Sequence, residues 1–243
     1  MTSTIFLSVV IPAYNEEARL PGSLKRIARY LGQQDYLSEL IVVDDGSSDA
    51  TVEKLRSMPG TFGTLEILEN TINRGKGFSV RRGILHSRGE YVVFSDADLS
   101  TPIEEVEKLL PFLQDSYDIA IGSRALRESD IRVHQPWYRE GMGKVFNRLA
   151  RALKLTPFSD TQCGFKCFRG AVAHDIAVRQ RIDHFSFDVE ILFIAAHLNY
   201  RVKEVPIQWF DEPHSRVHAF YDAVHMFRDL LKIRYYALKG HYD

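Results

Sequence analysis

The sequence predicts an α/β fold built on a mixed, mainly parallel sheet with helices on both faces. Short apolar runs recur without polar alternation, as strands buried on both faces require. Each run leads through a polar turn into apolar residues at helical spacing, the order of strand–helix units. A length of 243 residues at 45% hydrophobic content suffices for one sizeable core.

LSVVIP (7–12) reads as the first strand; Leu20, Leu24, Ile27 and Leu31 mark one face of the helix after it, and Gly32 its stop. LIVVDD (40–45) runs through Gly46-Ser47-Ser48 to Asp49, a cap for a short helix. LEIL (65–68) precedes a loop and a helix beginning near Lys76. YVVFSD (91–96) precedes Thr101-Pro102-Ile103-Glu104, which has capping-box spacing with proline at the first helical position. DIAIGSR (118–124) supplies another strand, and beyond residue 125 the alternation stops. Pro136 opens a helix over 136–154. Its apolar side is Tyr138, Met142, Val145, Phe146, Leu149 and Leu153, with Arg139, Lys144, Arg148, Arg151 and Lys154 around the remainder. VKEVPIQW (202–209) reads as a strand and 217–238 as a final helix, ending in RYYALKG.

With 31 Lys and Arg against 32 Asp and Glu, the formal net charge is -1. No global field draws such a chain to nucleic acid, so no nucleic-acid partner is expected and any basic site must be local. Cys163 and Cys167 have no second pair to complete a four-ligand zinc site; they read as reduced packing residues, with a redox role as the alternative. MTSTIFLSVVIP lacks the basic start and apolar run of a signal peptide. No window approaches the ~20 apolar residues of a spanning helix. A cytoplasmic location is expected, at most peripheral on the cytoplasmic membrane face.

Ligands of parallel sheets gather at the C-terminal edge of the strands. That edge receives Pro12 to Glu16, Asp44 and Asp45, Asp96 to Asp98, and Ser123-Arg124. Two carboxylates at Asp96 and Asp98 repel unless something offsets their charge. A hard divalent ion, Mg²⁺ or Mn²⁺, does so while taking substrate phosphate oxygens in its remaining positions. Read alone, the pair could equally cap the next helix. Tyr14 and Asn15 stand where a flat base could stack and hydrogen-bond. Asp44 or Asp45 could accept from a base N–H or a ribose hydroxyl, although Asp45-Gly46-Ser47 also suits a plain turn. NRGKG (73–77) sets Arg74 and Lys76 beside two glycines, which suits either close approach of a diphosphate or an exposed basic turn.

VVIPAYNEE, IVVDDGSSD, NRGKG and SDADLSTP, in this order and spacing, resemble the inverting glycosyltransferases of family 2, whose nucleotide-sugar-binding fold is the Rossmann-like GT-A fold. Ser123-Arg124, DTQCGFKCF (160–168), FSFDVEIL (185–192) and EVPIQWFDEPHSRV (204–217) are similar to the polyprenyl-phosphate sugar synthases, the dolichyl-phosphate glucosyl branch more than the mannosyl one. The resemblance implies a single GT-A domain over 1–243, with a nucleotide-sugar-binding half (1–125) and an acceptor-binding half (126–243). It implies inverting transfer of a hexose, glucose favoured, to a polyprenyl or dolichyl phosphate. UDP-glucose is the favoured donor, GDP-mannose the other, and Mg²⁺ or Mn²⁺ the cofactor. It places Pro12, Tyr14, Glu16, Asp44 and Asp45 at the nucleoside, with Lys76 near it. Asp96, Ala97 and Asp98 fall at the metal and ribose-diphosphate, and Arg124, Arg139, Ser215 and Arg216 at phosphates. Asp98, Arg124, Arg139 and Asp188 are the residues expected to carry the chemistry. The chain departs from the mannose synthases at Ser100, where these often have Gln, a possible third side-chain ligand. The eukaryotic glucosyltransferases carry an N-terminal membrane anchor, and none is expected from MTSTIFLSVVIP.

A lipid monophosphate is largely ionised at neutral pH, its second pKa being about 6, so it needs cationic positioning more than a base. A hydroxyl acceptor needs a base, for which Asp188 or Asp160 are the candidates. Asp188 could as well cap a core helix. Helix 136–154, with Trp137 and Tyr138 at one end, could lie on an anionic membrane surface or pack its apolar face on the domain. The chain has no G-x-G-x-x-G after its first strand, which argues against a dinucleotide-binding oxidoreductase, and it has no P-loop. Pro12-Ala13-Tyr14-Asn15 stands where a sugar nucleotidyltransferase would carry a glycine-rich loop. A family 2 enzyme with a soluble acceptor is the main alternative.

Overall fold

The strands are β1 (Leu7–Ala13), β2 (Ser38–Asp44), β3 (Leu65–Glu69), β4 (Tyr91–Ser95), β5 (Ile119–Ser123), β6 (Asp130–Val133), β7 (Phe165–Arg169), β8 (Val202–Pro206) and β9 (Gln208–Phe210). The helices are α1 (Leu20–Leu31), α2 (Thr51–Arg56), α3 (Lys76–His86), α4 (Val106–Asp115), α5 (Trp137–Ala152), α6 (Gly170–Arg179), α7 (Phe187–His197) and α8 (Ala219–Leu238). These come from a computed structural model that describes residues 4–58, 64–133, 135–211 and 219–243, without the side chains of Arg139 and 219–224.

Seven strands form one sheet in the order β3-β2-β1-β4-β7-β5-β8, and β6 pairs separately with β9. β7 runs antiparallel to both neighbours, and the other pairings are parallel, so the sheet is mixed and mainly parallel as expected. Successive side chains on a strand point to opposite faces, and both faces here are buried. Val10, Ile41 and Val43 enter a core with α3, α6 and α7, while Val9, Ile11 and Val42 enter one with α1 and α4. α3 crosses β1 and β2 at Gly83, where a Cβ would overlap Val10 Cγ1. That close crossing brings the start of α3, and with it Lys76, to the C-terminal edge of the sheet.

Several elements depart from the sequence pattern for physical reasons. The stretch 202–209 breaks into β8 and β9, because Pro206 has no N–H to continue the ladder. Pro102 lies outside α4; a 3-10 turn over Ile103–Glu105 comes first, and no side-chain cap closes it. Asp49 precedes the cap position, Ala50, yet its Oδ1 still accepts from the Thr51 N–H at 3.0 Å. β7 and α6 have no clear sequence signal, and α7 has only Asp188 as a candidate cap. α7 is apolar nearly all round and buried along its length, so it shows no amphipathic stripe.

α5 docks through Phe146 and Ala150, which are buried. Tyr138, Met142, Val145 and Leu149, predicted to share one apolar side with Phe146, are exposed together with Trp137. On α8, the neighbour of α5, Phe227, Leu231, Tyr235 and Leu238 are also exposed. No helix among the described residues is long and apolar enough to cross a membrane.

Glu190 is fully buried in α7. Its Oε2 accepts from the Ile182 N–H at 2.8 Å, and its Oε1 from the Arg181 N–H at 3.0 Å and the Tyr242 hydroxyl at 2.7 Å. Burial outweighs these bonds and pushes the carboxyl pKa up to about 6 from 4.5. The folded protein therefore binds this proton more tightly than the unfolded chain. Glu190's contribution to stability falls as pH rises from about 4.5 through 6, by about 2 kcal/mol. Urea unfolding of wild type and Glu190→Gln at pH 4.5, 5.5 and 7 should show their difference changing by that amount across the window. A pH-independent difference would contradict the assignment.

Candidate active site

Ala13, Asp44, Ser95 and Ser123 end β1, β2, β4 and β5 at one edge of the sheet, as the sequence predicts. The strand order reverses between β1 and β4, so the loops leaving them diverge around a crevice. Each exit carries a left-handed non-glycine residue, Asn15 and Leu99, both at φ 52. For a side chain such as leucine this conformation costs on the order of 1–2 kcal/mol, so the turn is held by its surroundings. The Leu99 N–H donates to Asp96 O at 3.1 Å and the Ser100 N–H to Asp98 Oδ1 at 3.0 Å, with Ala97 buried between the acids. Asn15 Oδ1 accepts from the N–H groups of Ser48 (2.8 Å) and Asp49 (3.3 Å). Asn15 thus clasps the β1 and β2 loops together, a use of its amide that the sequence did not suggest.

Of the residues predicted at the nucleoside, Pro12 is buried in β1 opposite Val43, and Tyr14, the residue after β1, is exposed. Asp44 Oδ2 accepts from the N–H groups of Gly46 and Ser47, both at 3.0 Å, while its buried Oδ1 has no hydrogen-bond partner among the described residues. A buried acceptor of this kind suits a ligand N–H or O–H. Asp45 accepts from Asn70 Nδ2 (2.8 Å), the Arg74 N–H (2.9 Å) and the Gly75 N–H (2.8 Å), so it fixes the 73–77 loop. The closeness that demands glycine in this loop comes from the chain itself. A Cβ at Gly75 (φ 103) would overlap Asp183 O, and one at Gly77 would sit 2.6 Å from Ile182 O. Arg74 stacks on Phe78 with 4.2 Å to the ring centre.

The acid pair sits in a row of alternating charges. Lys166, wholly buried on β7, donates to Asp188 Oδ1 at 2.5 Å and to Cys163 O at 2.6 Å. Lys76 Nζ lies 2.6 Å from Asp96 Oδ1. Burial opposes the Lys76 charge, but Asp96 first and Asp188 next more than offset it, holding its pKa above the ordinary lysine value. On the other side, Arg19 donates to both oxygens of Glu16, at 2.7 and 2.5 Å, and its Nη1 approaches Asp98 Oδ2 at 3.9 Å. Glu16 is therefore engaged with Arg19. The alternation fails only where Asp96 faces Asp98, whose pKa is raised by burial and then by Asp96. Gly164 makes room for this arrangement, since a Cβ there would overlap Asp96 Oδ2.

Two hard carboxylates with no third side-chain ligand fit magnesium or manganese, which fill the rest of their shells with water and phosphate oxygens. No group of three or more His, Cys, Asp or Glu able to hold a metal occurs among the described residues. Asp96 and Asp98 would hold such an ion, and substrate oxygens would complete it.

Asp188 does not cap α7; Ser186 holds that position and Asp188 turns to Lys166. Burial raises the Asp188 pKa, with Lys166 and then Lys76 opposing. Arg124 gives Nε (2.7 Å) and its backbone N–H (2.9 Å) to Asp160 Oδ2 and Nη2 to Oδ1 (2.8 Å), with its guanidinium 5.3 Å from the Trp209 ring centre. Burial works against the Asp160 carboxylate, but Arg124 more than compensates, and its pKa lies below the usual range. The fork expected to face a phosphate is thus closed on Asp160, and Nη1 takes no part in it. Cys163 and Cys167 are buried free thiols, the former pushed up to about 11 by burial, as packing residues would be. Arg139 lies on α5 with its side chain outside the described ones, and Ser215 and Arg216 lie outside the described residues.

Lys76, Asp96, Asp98, Arg124 and Asp188 line a cavity of about 710 Å³ together with Trp137, Tyr138, Met142, Val145 and Leu149 of α5. Sequence reasoning missed Lys166, Gly164 and Arg19. The first two lie inside DTQCGFKCF, and Arg19 stands three residues after Glu16, a spacing that pairs charges on a helical turn.

The sequence model of the family described as Glycosyl transferase family 2 matches residues 8–176. The chain belongs to that family. This glycosyltransferase is 34% identical over 250 residues to the dolichyl-phosphate beta-glucosyltransferase of Dictyostelium discoideum, covering 97% of this chain and 76% of that one. It is 35% identical over 247 residues to the Homo sapiens enzyme of the same name, covering 96% and 76%. The structure of Mycobacterium tuberculosis glucosyl-3-phosphoglycerate synthase with Mn²⁺, UDP-glucose and phosphoglyceric acid superposes with a TM-score of 0.69 at 19% identity, covering 98% of this chain and 80% of that one. Mannosyl-3-phosphoglycerate synthase from Rubrobacter xylanophilus gives 0.69 at 16% identity, covering 97% and 75%. The glycosyltransferase therefore has the GT-A fold its motifs implied.

The buried Lys166–Asp188 pair makes a direct prediction for this enzyme. Lys166→Met should destabilise it by about 3–5 kcal/mol, because it strips a buried carboxylate of its nearest cation. Lys166→Met with Asp188→Leu should recover most of that loss in urea unfolding. A single variant as stable as wild type would show that the pair is not coupled.

Proposed function

We propose that this glycosyltransferase moves glucose, with inversion, from UDP-glucose to a dolichyl or other polyprenyl phosphate. The carrying observation is that the two acids expected as general-base candidates, Asp188 and Asp160, are engaged in buried ion pairs with Lys166 and Arg124. A hydroxyl acceptor needs such a base, whereas a lipid monophosphate arrives already ionised. The cavity supports the same reading, since charged groups line it beside the apolar residues of α5, which suits an anion carried on a hydrocarbon chain. The similarity to dolichyl-phosphate beta-glucosyltransferases agrees in donor sugar and acceptor.

In this reading the nucleoside lies against Tyr14 and Asp44, whose Oδ1 accepts from it, while Asp45 keeps the neighbouring loop in place. Asp96 and Asp98 would hold a Mg²⁺ or Mn²⁺ ion, which would supply charge stabilisation to the departing diphosphate. Lys76 adds a positive charge beside the same leaving group. Asp160 orients Arg124, and Arg124 with Arg139, Ser215 and Arg216 positions the acceptor phosphate. The exposed apolar faces of α5 and α8 rest on the surface of the membrane that carries the acceptor.

The test is transfer from radiolabelled UDP-glucose, with UDP-galactose and GDP-mannose as competitors, to a short polyprenyl phosphate in the presence of Mg²⁺ or Mn²⁺. Label should partition into the organic phase, and Asp98→Asn should lower the rate by at least about a hundredfold, the scale of losing an electrostatic stabiliser of the leaving group. Label that stays in the aqueous phase on a soluble hydroxyl acceptor would overturn the reading.

A further inference from the structure

Each acid of the pair has a cation beside it, and Arg19 is shared between Asp98 and Glu16. Lys76 Nζ stands 2.6 Å from Asp96 Oδ1, and Arg19 Nη1 stands 3.9 Å from Asp98 Oδ2, one cation for each acid. Neither is a loose surface charge, since the side chains of Lys76 and Arg19 are 22% and 21% exposed. Arg19 is fixed by its fork onto Glu16, and Lys76 by its place as the first residue of α3, behind a loop that Asp45 holds. A divalent ion binding both acids would then meet two unit charges of its own sign within a few ångströms, and Coulomb repulsion at that range in a partly buried site is large.

We infer that Lys76 and Arg19 are the resident counter-ions of Asp96 and Asp98, that they keep the divalent ion weakly bound until the nucleotide diphosphate is present, and that Lys76 then exchanges Asp96 for the diphosphate. The inference rests on the proposed role of the acid pair in holding metal. It adds Arg19, with Glu16 as its positioning residue, to the donor site. The exchange needs no energy source beyond binding. Lys76 trades one anionic partner for another, and the acid it releases gains the metal. Metal and nucleotide therefore bind with positive coupling, and by linkage each tightens the other by the same factor. Arg19 has a shorter move, because Glu16 keeps it beside Asp98, where the diphosphate bound to the same ion comes within reach.

The measurement is Mn²⁺ binding to the full chain, followed by the electron paramagnetic resonance signal of free Mn²⁺, with and without UDP. Wild type should bind Mn²⁺ weakly alone and at least about tenfold more tightly with saturating UDP. Lys76→Met should tighten binding of Mn²⁺ alone by about tenfold or more, having removed a like charge, and should shrink the gain from UDP. Arg19→Met should act in the same direction but less, in keeping with its longer distance, and Lys76→Gln repeats the first test with a polar side chain. Asp98→Asn should weaken Mn²⁺ binding in every background. If Lys76→Met, Lys76→Gln and Arg19→Met bind Mn²⁺ alone no more tightly than wild type while Asp98→Asn still weakens it, the counter-ion inference is overturned and the metal reading stands. If Asp98→Asn changes nothing, the ion is not at the acid pair and both fall.

Discussion

Asp96 and Asp98 repel each other at the end of a buried strand, and the rest of the site is arranged around that repulsion. Leu99 is held left-handed so that the chain turns back on the two acids, and the Ser100 N–H anchors one of them. Lys76 and Arg19 stand beside them, each tied to a second acid's field or fork. Lys166 and Asp188 extend the alternation into the core, where neither charge could persist alone. The one like-charge contact in the row faces the cavity, and it is the place proposed for a divalent ion. In the proposed mechanism stability and chemistry are coupled: the cations that make the acids tolerable in the folded protein would also set how a metal and a diphosphate are received.

The fold supplies this geometry through close backbone approaches. Gly83 lets α3 lie on β1 near enough to carry Lys76 to the strand ends. Gly164, just before the antiparallel β7, leaves room for the Asp96 carboxylate, and β7 itself delivers Lys166 from the opposite strand direction. A purely parallel sheet would not bring a strand-borne lysine up behind the acid pair in this way. Away from the sheet, α5 and α8 leave apolar side chains exposed beside the same cavity, so that the polar chemistry and the apolar surface are continuous.

Much of this was legible in the residues. The first four strands, the start of α3 at Lys76 and the gathering of acids at one sheet edge follow from unbroken apolar runs and their polar ends. The remainder was hidden for identifiable reasons. β7 carries a lysine at its centre, and a charged residue inside a strand reads as surface unless its buried partner is known. α7 is buried all round and so lacks the one-sided pattern that marks a helix at a domain surface. α5 has an apolar side, but the sequence could not tell which part would dock: Phe146 and Ala150 do, and Met142 and Val145 do not. Within the site, residue type did not reveal the intramolecular partners. Asp45, Asn15 and Glu16 look like ligand groups in one dimension, yet in three dimensions their oxygens hold loops or an arginine.

In the proposed exchange, Asp96 trades its resident ammonium partner, Lys76, for a divalent ion when donor binds. The most direct measurement is a pair of crystal structures, one without ligands and one with Mn²⁺ and UDP, the ion located by its anomalous signal. An anomalous peak is expected in contact with Asp96, Asp98 and the diphosphate, with Lys76 Nζ withdrawn from Asp96 and turned to a phosphate oxygen. A peak elsewhere, or an intact Lys76–Asp96 contact with Mn²⁺ and UDP both bound, would contradict the exchange.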